Sequence, residues 1–286
     1  MDGKLWRRLY AIVFRLSESK RAARQQFSDR EIVVWFLWAV LNDRPIVWLG
    51  CVNSAPHRLR NRRRPSTATM SRRLKTTSAA KLLDSIERFL TTPHQMRLCK
   101  YLDGKVLPVG RSSKDPDARF GRQVKGYRLH VIADRNHAIY AWKVLPNNVN
   151  EVRAARELIP QLGNGGYLLA DGEYDAAVLH ELASRRGHQL VAPRSKPGAD
   201  FGHRPQNAAR KRSCELLERD AWIDNGFGTA LTNERRQIER FFGNLTTFAG
   251  GLSPLPSWVR RLPRVRRWVQ AKLVINAVRS QLKITT

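Results

Sequence analysis

The hydrophobic residues of the first part of the chain, about residues 1–92, recur with a helical period. A helix is predicted over 78–90, where the apolar positions fall on one face. Ser28 and Glu31 have the spacing of a capping box, so another helix is predicted to begin there and to continue through the apolar run 32–41. This pattern predicts an all-helical N-terminal region.

The pattern changes near residue 97, where stretches of strand and helix begin to alternate. Strands are predicted at 97–109, 126–134, 138–146, 167–171 and 188–193, with helices at 150–162 and 175–187. Asn150 is predicted to cap the first of these helices. Antiparallel-looking strands followed by strand–helix alternation predict an α/β fold with a mixed sheet and flanking helices. A polar, basic loop is predicted at 195–215, a helix from 233 onward and a last helix at 264–283.

These changes predict a chain of three parts. Residues 1–95 form a helical, helix-turn-helix-like module, and residues 96–250 form the mixed α/β domain. Residues 251–286 form a basic C-terminal helical segment.

The balance of charge narrows the classes of partner. The 286 residues include 52 Lys and Arg against 24 Asp and Glu, a net charge of +28, which draws polyanions such as nucleic acid. A membrane partner is disfavoured, because the longest apolar run, 32–41, is too short to span a bilayer. Cys51, Cys99 and Cys214 are scattered, which is typical of free thiols in a reducing cytoplasm. We therefore expect a cytoplasmic protein that binds nucleic acid.

A basic segment at 57–75 contains Lys and Arg residues and no acidic residue. A helix start is predicted at Ser66, so the segment combines a short helix with clustered positive charge, as DNA-reading modules do. Its candidate DNA-binding residues are Arg62, Arg63, Arg64, Arg72, Arg73 and Lys75. The alternative is a helical bundle with a solvated basic loop.

Three carboxylates stand out by their positions. Asp103 and Asp171 each end a predicted strand, and Glu239 is the last acidic residue of the chain. Singly, each has an ordinary interpretation: the Asp residues as turn residues, and Glu239 as a surface pair with Arg235. Together they suit Mg²⁺, which prefers oxygen ligands, and a pair of such ions can flank a scissile phosphate. This combination favours a metal-dependent nuclease.

Other acidic residues near these positions have local interpretations. Asp175 is predicted as the N-cap of the helix at 176–186, and Glu173 as a loop acid or a group that supports the site from outside. Asp134 is predicted as a hairpin-turn residue.

The stretches "LDGKVLPV", "KDPDARFGRQVKGYRLHVIAD", "LLADGEYD" and "RRQIERFFGNL" occur in this order within residues 98–249. In this order they resemble the catalytic domain of bacterial insertion-sequence transposases of the DDE kind, the group of the insertion-sequence four and five families. The resemblance implies an RNase H-like fold with Asp103, Asp171 and Glu239 as the catalytic, metal-binding triad. It also implies two Mg²⁺ ions as cofactors, with Mn²⁺ able to substitute.

The same resemblance implies a cut-and-paste DNA transposase. Its partners would be double-stranded DNA, both terminal inverted repeats and target DNA, bound by a homodimer without a membrane. Arg235 matches the family's Arg that is expected to contact the DNA backbone, and Arg240 is a further candidate. Trp222 is a candidate for stacking on a base. Thr232 and Thr246 stand where the family often has Tyr and Lys.

Two alternatives stay open on the sequence. The chain could be a catalytically silent DNA-binding regulator derived from a transposase, although the intact triad argues against it. It could also be an RNase H-like nuclease that cleaves DNA without strand transfer.

Overall fold

The computed structural model describes residues 3–17, 25–51, 55–92, 97–163, 165–194, 207–218, 226–247 and 251–284. The chain divides into two compact units. The first, which we call the helical unit, comprises Met1–Thr92, Thr247–Leu252 and Pro263–Thr286. The second, the sheet unit, comprises Pro93–Thr246 and Ser253–Leu262.

The described helices, in chain order, are α1 (Gly3–Leu16), α2 (Asp29–Leu41), α3 (Thr67–Arg73), α4 (Thr77–Thr91), α5 (Glu151–Leu158), α6 (Ala177–Arg185), α7 (Ala208–Glu218), α8 (Phe227–Arg235), α9 (Gln237–Thr247) and α10 (Leu262–Ile284). The described strands are β1 (Cys99–Pro108), β2 (Arg119–Gly121), β3 (Val124–Ala133), β4 (Ile139–Pro146), β5 (Gly166–Leu169) and β6 (His188–Val191). Short 3-10 helices lie at Ile46–Gly50, His57–Leu59, Ile159–Gln161 and Gly172–Tyr174. Within these described ranges, no helix is both long and apolar enough to cross a lipid bilayer.

The N-terminus of α2 has the capping box that the sequence predicts. The Ser28 side chain accepts a hydrogen bond from the backbone of Glu31, and the Glu31 carboxylate accepts one of 2.8 Å from the Ser28 N–H. This exchange satisfies backbone donors that have no partner inside the helix. The apolar residues that follow are almost all buried, so α2 lies in the core of the helical unit.

Helix α10 is held to the N-terminal helices by polar contacts as well as by its apolar residues. Gln270 Nε2 donates hydrogen bonds of 2.7 Å to Asp84 Oδ1 and 2.7 Å to Glu87 Oε2 on α4. The buried Lys272 forms an ion pair with Asp43, which follows α2. The last helix and the first four therefore share one core within the helical unit.

The strand order of the described sheet is β2-β3-β1-β5-β6, with β4 paired to β3. The pairs β1–β3, β2–β3 and β3–β4 are antiparallel, and the pairs β1–β5 and β5–β6 are parallel. An antiparallel meander comes first along the chain, and the parallel strands follow with helices between them, as predicted. The fold is an α/β fold with a mixed sheet and flanking helices, and helices precede it in the chain.

Local polar residues fix two of the connections as predicted. Asp134 lies in the turn between β3 and β4, where its carboxylate accepts hydrogen bonds of 2.8 Å and 3.1 Å from the backbone of Asn136 and Ala138. Asn150 caps α5 by accepting a hydrogen bond of 2.7 Å from the Val152 N–H. Both are short polar side chains that replace a missing backbone partner.

The prediction of a loop over 195–215 was wrong for its last residues, because α7 begins at Ala208. The helix is polar and basic in sequence and has only a weak apolar face, so periodicity did not reveal it. Hydrogen bonds hold it to the edge of the sheet: Gln189 donates to the Ala209 carbonyl at 2.8 Å, and Ser213 accepts from the Ala192 N–H at 3.1 Å. Residues 195–206 lie outside the described part of the chain.

The prediction that Asp175 caps α6 was also wrong. Ala176 occupies the cap position, and it makes no side-chain hydrogen bond there. The Asp175 carboxylate accepts hydrogen bonds from Arg210 Nε at 2.8 Å and Arg210 Nη2 at 2.7 Å, and it lies 3.2 Å from His180 Nε2. A buried charge must be paired, and the Arg residue of α7 offers a stronger partner than the backbone of α6.

Candidate active site

Asp103 and Asp171 lie at the same level of two neighbouring parallel strands. The last paired residues of β1 and β5 are Tyr101 and Leu169, and each Asp follows two residues later on its own segment. Asp103 Oδ1 accepts a hydrogen bond of 2.6 Å from the Gly104 N–H. Asp171 caps the 3-10 helix Gly172–Tyr174 by accepting a hydrogen bond from the backbone that follows it. Parallel neighbours thus bring both carboxylates to one edge of the sheet.

Both carboxylates line a pocket of about 200 Å³. Its lining residues are Asp103, Gly104, Arg122, Arg128, Glu151, Asp171, Glu173 and Tyr174. Of these lining residues, the sequence predicted only Asp103 and Asp171 as site residues, and it predicted Glu173 as a neighbouring acid. The pocket therefore carries more charge of both signs than the sequence indicated.

The arginines of the pocket are paired with its glutamates. Arg128 on β3 forms a salt bridge with Glu151 in the first turn of α5, and both side chains are mostly buried. Arg122, in the turn between β2 and β3, forms a more exposed salt bridge with Glu173. No ion pair to Asp103 or Asp171 occurs among the described residues. The Asp pair is therefore left to interact with what enters the pocket.

The electrostatics of the Asp pair follow from burial. Burial and, to a smaller extent, the charge of Asp171 raise the pKa of Asp103 to about 6, against the hydrogen bond from Gly104 and the charge of Arg235. Burial also raises the pKa of Asp171, and the neighbouring Glu173 adds to this. Two partly buried like charges repel each other, and a cation between them offsets that repulsion. The donors are carboxylate oxygens, which fit Mg²⁺.

Glu239 lies outside this pocket. Its side chain is exposed in the first turn of α9. Helix α9 packs by its opposite side, where Phe241 stacks on His137 with ring centroids 5.8 Å apart. In the part of the chain that the structure describes, no group of three His, Cys, Asp or Glu residues is placed to hold a metal ion.

The helix predicted from 233 onward is two helices, and this changes the positions of its acids. Helix α8 ends at Arg235 and α9 begins at Gln237, so Glu234 and Glu239 do not share one helical wheel. The prediction of one continuous helix was therefore wrong at this point. The Tyr101 hydroxyl donates a hydrogen bond of 2.7 Å to Glu234 Oε1. Arg235, the next residue, lies close enough for its charge to lower the pKa of both Asp103 and Asp171.

The candidate DNA-binding residues of the helical unit differ in what they contact. Arg62, Arg63, Arg72 and Lys75 have exposed side chains. Arg64 donates hydrogen bonds to the carbonyls of Leu49 at 3.3 Å and Cys51 at 2.6 Å, so part of its guanidinium supports the fold.

Arg73 is the exception among these candidates. It is buried and donates hydrogen bonds of 2.8 Å to the Phe27 carbonyl and 2.6 Å to Asp29 Oδ1. Its guanidinium is thus occupied inside the helical unit, so we leave it out of the proposed DNA surface. In the sheet unit, Arg240 is exposed and donates to Gln237 Oε1 at 3.2 Å, and Trp222 lies outside the described residues.

Sequence reasoning missed several pocket residues because each becomes visible only when the strands pair. One signal was available for Arg128: it is the one Arg or Lys in the predicted strand "GYRLHVIAD", whose other residues are mostly apolar. Gly104, whose partner on β3 is His130, leaves room for the Arg128 side chain, since a Cβ at this position would lie 3.0 Å from Arg128 Cδ and 3.1 Å from His130 Nδ1. Tyr174 also had a signal, its position three residues after Asp171 in "DGEYD".

Comparison with known proteins identifies the family. No curated protein matches the chain. A solved cryo-EM structure, a piggyBac transposase synaptic complex with hairpin DNA, is similar with a TM-score of 0.49 and 10% sequence identity, over 97% of this chain and 71% of that chain. The sequence model of the family described as "Transposase DDE domain" matches residues 96–261. Because that match spans more than half of the chain, the protein belongs to the transposase DDE domain family.

Proposed function

We propose that the protein is a DNA transposase that cleaves the ends of its element by hydrolysis and joins the freed 3′-OH to target DNA. The observation that carries the proposal is the placement of Asp103 and Asp171 on neighbouring parallel strands, in one charged pocket. In a chain of the transposase DDE domain family, such a pair is best explained as the centre where phosphoryl transfer occurs.

The proposed cofactors are two Mg²⁺ ions, with Mn²⁺ able to substitute. Asp103, Asp171 and Glu239 would hold them, since hard cations take carboxylate oxygens. When bound, such ions supply charge stabilisation at the attacking and leaving oxygens of the phosphate. Glu239 is included on its motif, R-x-x-x-E, and the proposal requires α9 to bring its exposed side chain to the pocket on the DNA complex.

The basic residues have a separate part in the proposal. Carboxylates repel the DNA backbone, so positive charge must hold the DNA near them. Arg235 is suited to this because its charge already acts on the Asp pair, and Arg240 is exposed on the next helix. In the helical unit, Arg62, Arg63, Arg72 and Lys75 present exposed positive charge that would bind the terminal inverted repeats. A homodimer, acting in the cytoplasm on the host DNA, would bring two element ends together.

The test is a cleavage and joining assay on duplex DNA taken from the two flanks of the gene, where inverted repeats are expected. We expect the parent protein to bind this DNA and to cut and join it in Mg²⁺. Asp171→Asn is expected to bind the DNA with unchanged affinity and to cut none of it. If the parent protein binds the repeats but never cuts them, with Mg²⁺ or Mn²⁺, the protein is a catalytically silent DNA-binding regulator. A parent that cuts and never joins would be the nuclease.

A further inference from the structure

Tyr174 carries a buried hydroxyl group that the fold does not use. Its side chain is 0% exposed, and its ring belongs to an apolar core cluster that includes Leu102, Ile132 and Leu179. Within the described residues, the hydroxyl oxygen has no hydrogen-bond partner. Buried polar groups almost always have a partner, so an unpartnered one needs an explanation.

Tyr174 lies beside the pocket of the Asp pair. It is one of the residues that line this pocket, although its ring packs in the core. Burial raises the pKa of its hydroxyl, and the charges of Asp103 and Asp171 contribute to the rise. These charges act on the oxygen only if it lies near them, so the hydroxyl group lies close to the two carboxylates of the pocket. There the group is a hydrogen-bond donor.

None of the carboxylates that line the pocket accepts a hydrogen bond from this hydroxyl. Glu151 is paired with Arg128 and Glu173 with Arg122, while Asp103 and Asp171 each accept a hydrogen bond from a backbone N–H. The pocket of about 200 Å³ has room for a ligand that brings its own acceptor. The arginines on its wall favour an anion, and a DNA phosphate offers anionic oxygens.

We propose that Tyr174 is a positioning residue that donates its O–H to a non-bridging oxygen of the scissile DNA phosphate. This inference rests on the proposed function and names a contact within the same site. An interaction that forms only with the bound phosphate helps to place it in the geometry for attack. The proposed contact also explains why this position holds Tyr, although Phe would suit the apolar surroundings better.

The first experiment measures thermal unfolding of the DNA-free protein for Tyr174→Phe and a matched control, Tyr127→Phe. Tyr127 is also a fully buried tyrosine of the sheet unit, but its hydroxyl donates a hydrogen bond of 2.8 Å to Asp115. We expect Tyr174→Phe to keep or raise the Tm and Tyr127→Phe to lower it, because only the second loses a partner. A Tm of Tyr174→Phe that falls as far as the control would overturn the inference, since the hydroxyl would then have a partner in the fold.

The second experiment combines each variant with a change in the DNA. A duplex from the gene's flank carries either the natural phosphate or a methylphosphonate of each configuration at the mapped cleavage position. Affinity is measured by fluorescence anisotropy without divalent ions, and the single-turnover cleavage rate is measured with Mg²⁺. We expect Tyr174→Phe to lower affinity or rate roughly ten-fold or more on natural DNA, as for a hydrogen bond to a charged acceptor.

On the methylphosphonate that lacks the accepted oxygen, the same variant is expected to cause no further loss. Equal losses on all three duplexes, in both measurements, would contradict the contact while leaving the transposase proposal intact. A parent protein that binds none of the duplexes would contradict the proposed function, and this inference with it. Tyr127→Phe should behave like the parent on every duplex, which separates a loss of stability from a loss of contact.

Discussion

The hydroxyl group of Tyr101 donates a 2.7 Å hydrogen bond to Glu234, and this bond ties the end of α8 to strand β1. Asp103 lies two residues further along the same strand, and Arg235 follows Glu234. Side chains two apart on a strand share one face. The contact therefore places the positive charge of Arg235 on the side of the sheet where the carboxylate of Asp103 emerges.

Glu234→Ala is expected to destabilise the sheet unit and slow cleavage. The variant leaves the buried Tyr101 hydroxyl without its acceptor, which we expect to lower the free energy of unfolding by about 1–2 kcal/mol. It also removes the anchor beside Arg235, so the DNA phosphate is held less well. Urea unfolding and a cleavage assay check both effects. Glu234→Gln is the control, because its amide oxygen can still accept the hydrogen bond. A Glu234→Ala protein with parental stability would show that the contact does not hold α8.

Glu239→Gln is expected to abolish Mg²⁺-dependent cleavage while DNA binding stays at the parental level. Gln is nearly the same shape but lacks the charge that a hard cation requires. The side chain is exposed, so the fold should not change. Cleavage of end DNA is measured in Mg²⁺, and DNA binding is measured in parallel. Glu234→Gln again serves as the control, because it makes the same change at a neighbouring Glu. Full cleavage by Glu239→Gln would remove this residue from the triad.

Asp103→Asn is expected to raise the Tm at pH 7 without divalent ions, and to abolish cleavage. Burial raises the pKa of Asp103 from 3.8 to about 6, so the folded protein holds this proton more tightly than the unfolded chain does. The free energy of unfolding therefore falls as the pH rises from about 4 to about 6, by at most about 3 kcal/mol. The variant should lose this part of the pH dependence.

Mg²⁺ is expected to have the opposite effect on the difference in Tm between the parent and Asp103→Asn. A ligand that binds only the folded protein raises its Tm, so the parent should gain stability with Mg²⁺ and Asp103→Asn should gain less. Scanning calorimetry at several pH values, with and without Mg²⁺, measures all of these changes. If Asp103→Asn instead lowered the Tm at pH 7, the carboxylate would be stabilising the fold.

Arg72→Ala and Arg73→Ala form a matched pair of neighbours. Arg72 is exposed, so its loss should weaken binding of end DNA and lower the slope of log K against log salt by about 0.9, without a change in Tm. Arg73 is buried against Asp29, so its loss should lower the free energy of unfolding by about 3 kcal/mol or more. Anisotropy titrations in increasing salt and thermal unfolding separate the two. An unchanged salt slope for Arg72→Ala would mean that Arg72 makes no contact with the phosphates of the end DNA.

The features that sequence predicted correctly are those decided within a few residues. Alternating apolar positions and the caps at Ser28 and Asn150 fix the elements, and their order restricts the sheet to a mixed topology. Asp171 could be placed because it follows the end of β5, whereas the prediction that Asp103 ends a strand was wrong: β1 continues to Pro108, and only its pairing with β5 stops before Asp103.

The features that sequence missed depend on distant partners. Asp175 and Arg210 are 35 positions apart, and no local pattern shows that α7 returns to pair with the residue before α6. Likewise, the helix break at Arg236 has neither Gly nor Pro to mark it, so "NERRQIERFF" reads as one continuous helix. The position of Glu234 against Tyr101 follows from that break and could not be predicted without it.

The contacts of α10 have a consequence for the synthesis of the protein on the ribosome. Gln270 and Lys272 complete polar contacts with Asp84 and Asp43, so these early residues gain their partners only when the chain is 186 and 229 residues longer. The sheet unit emerges in between and can fold first, since domains generally fold as units as the chain appears. The nascent chain therefore finishes its helical unit last, and with it the surface that we propose reads the element ends.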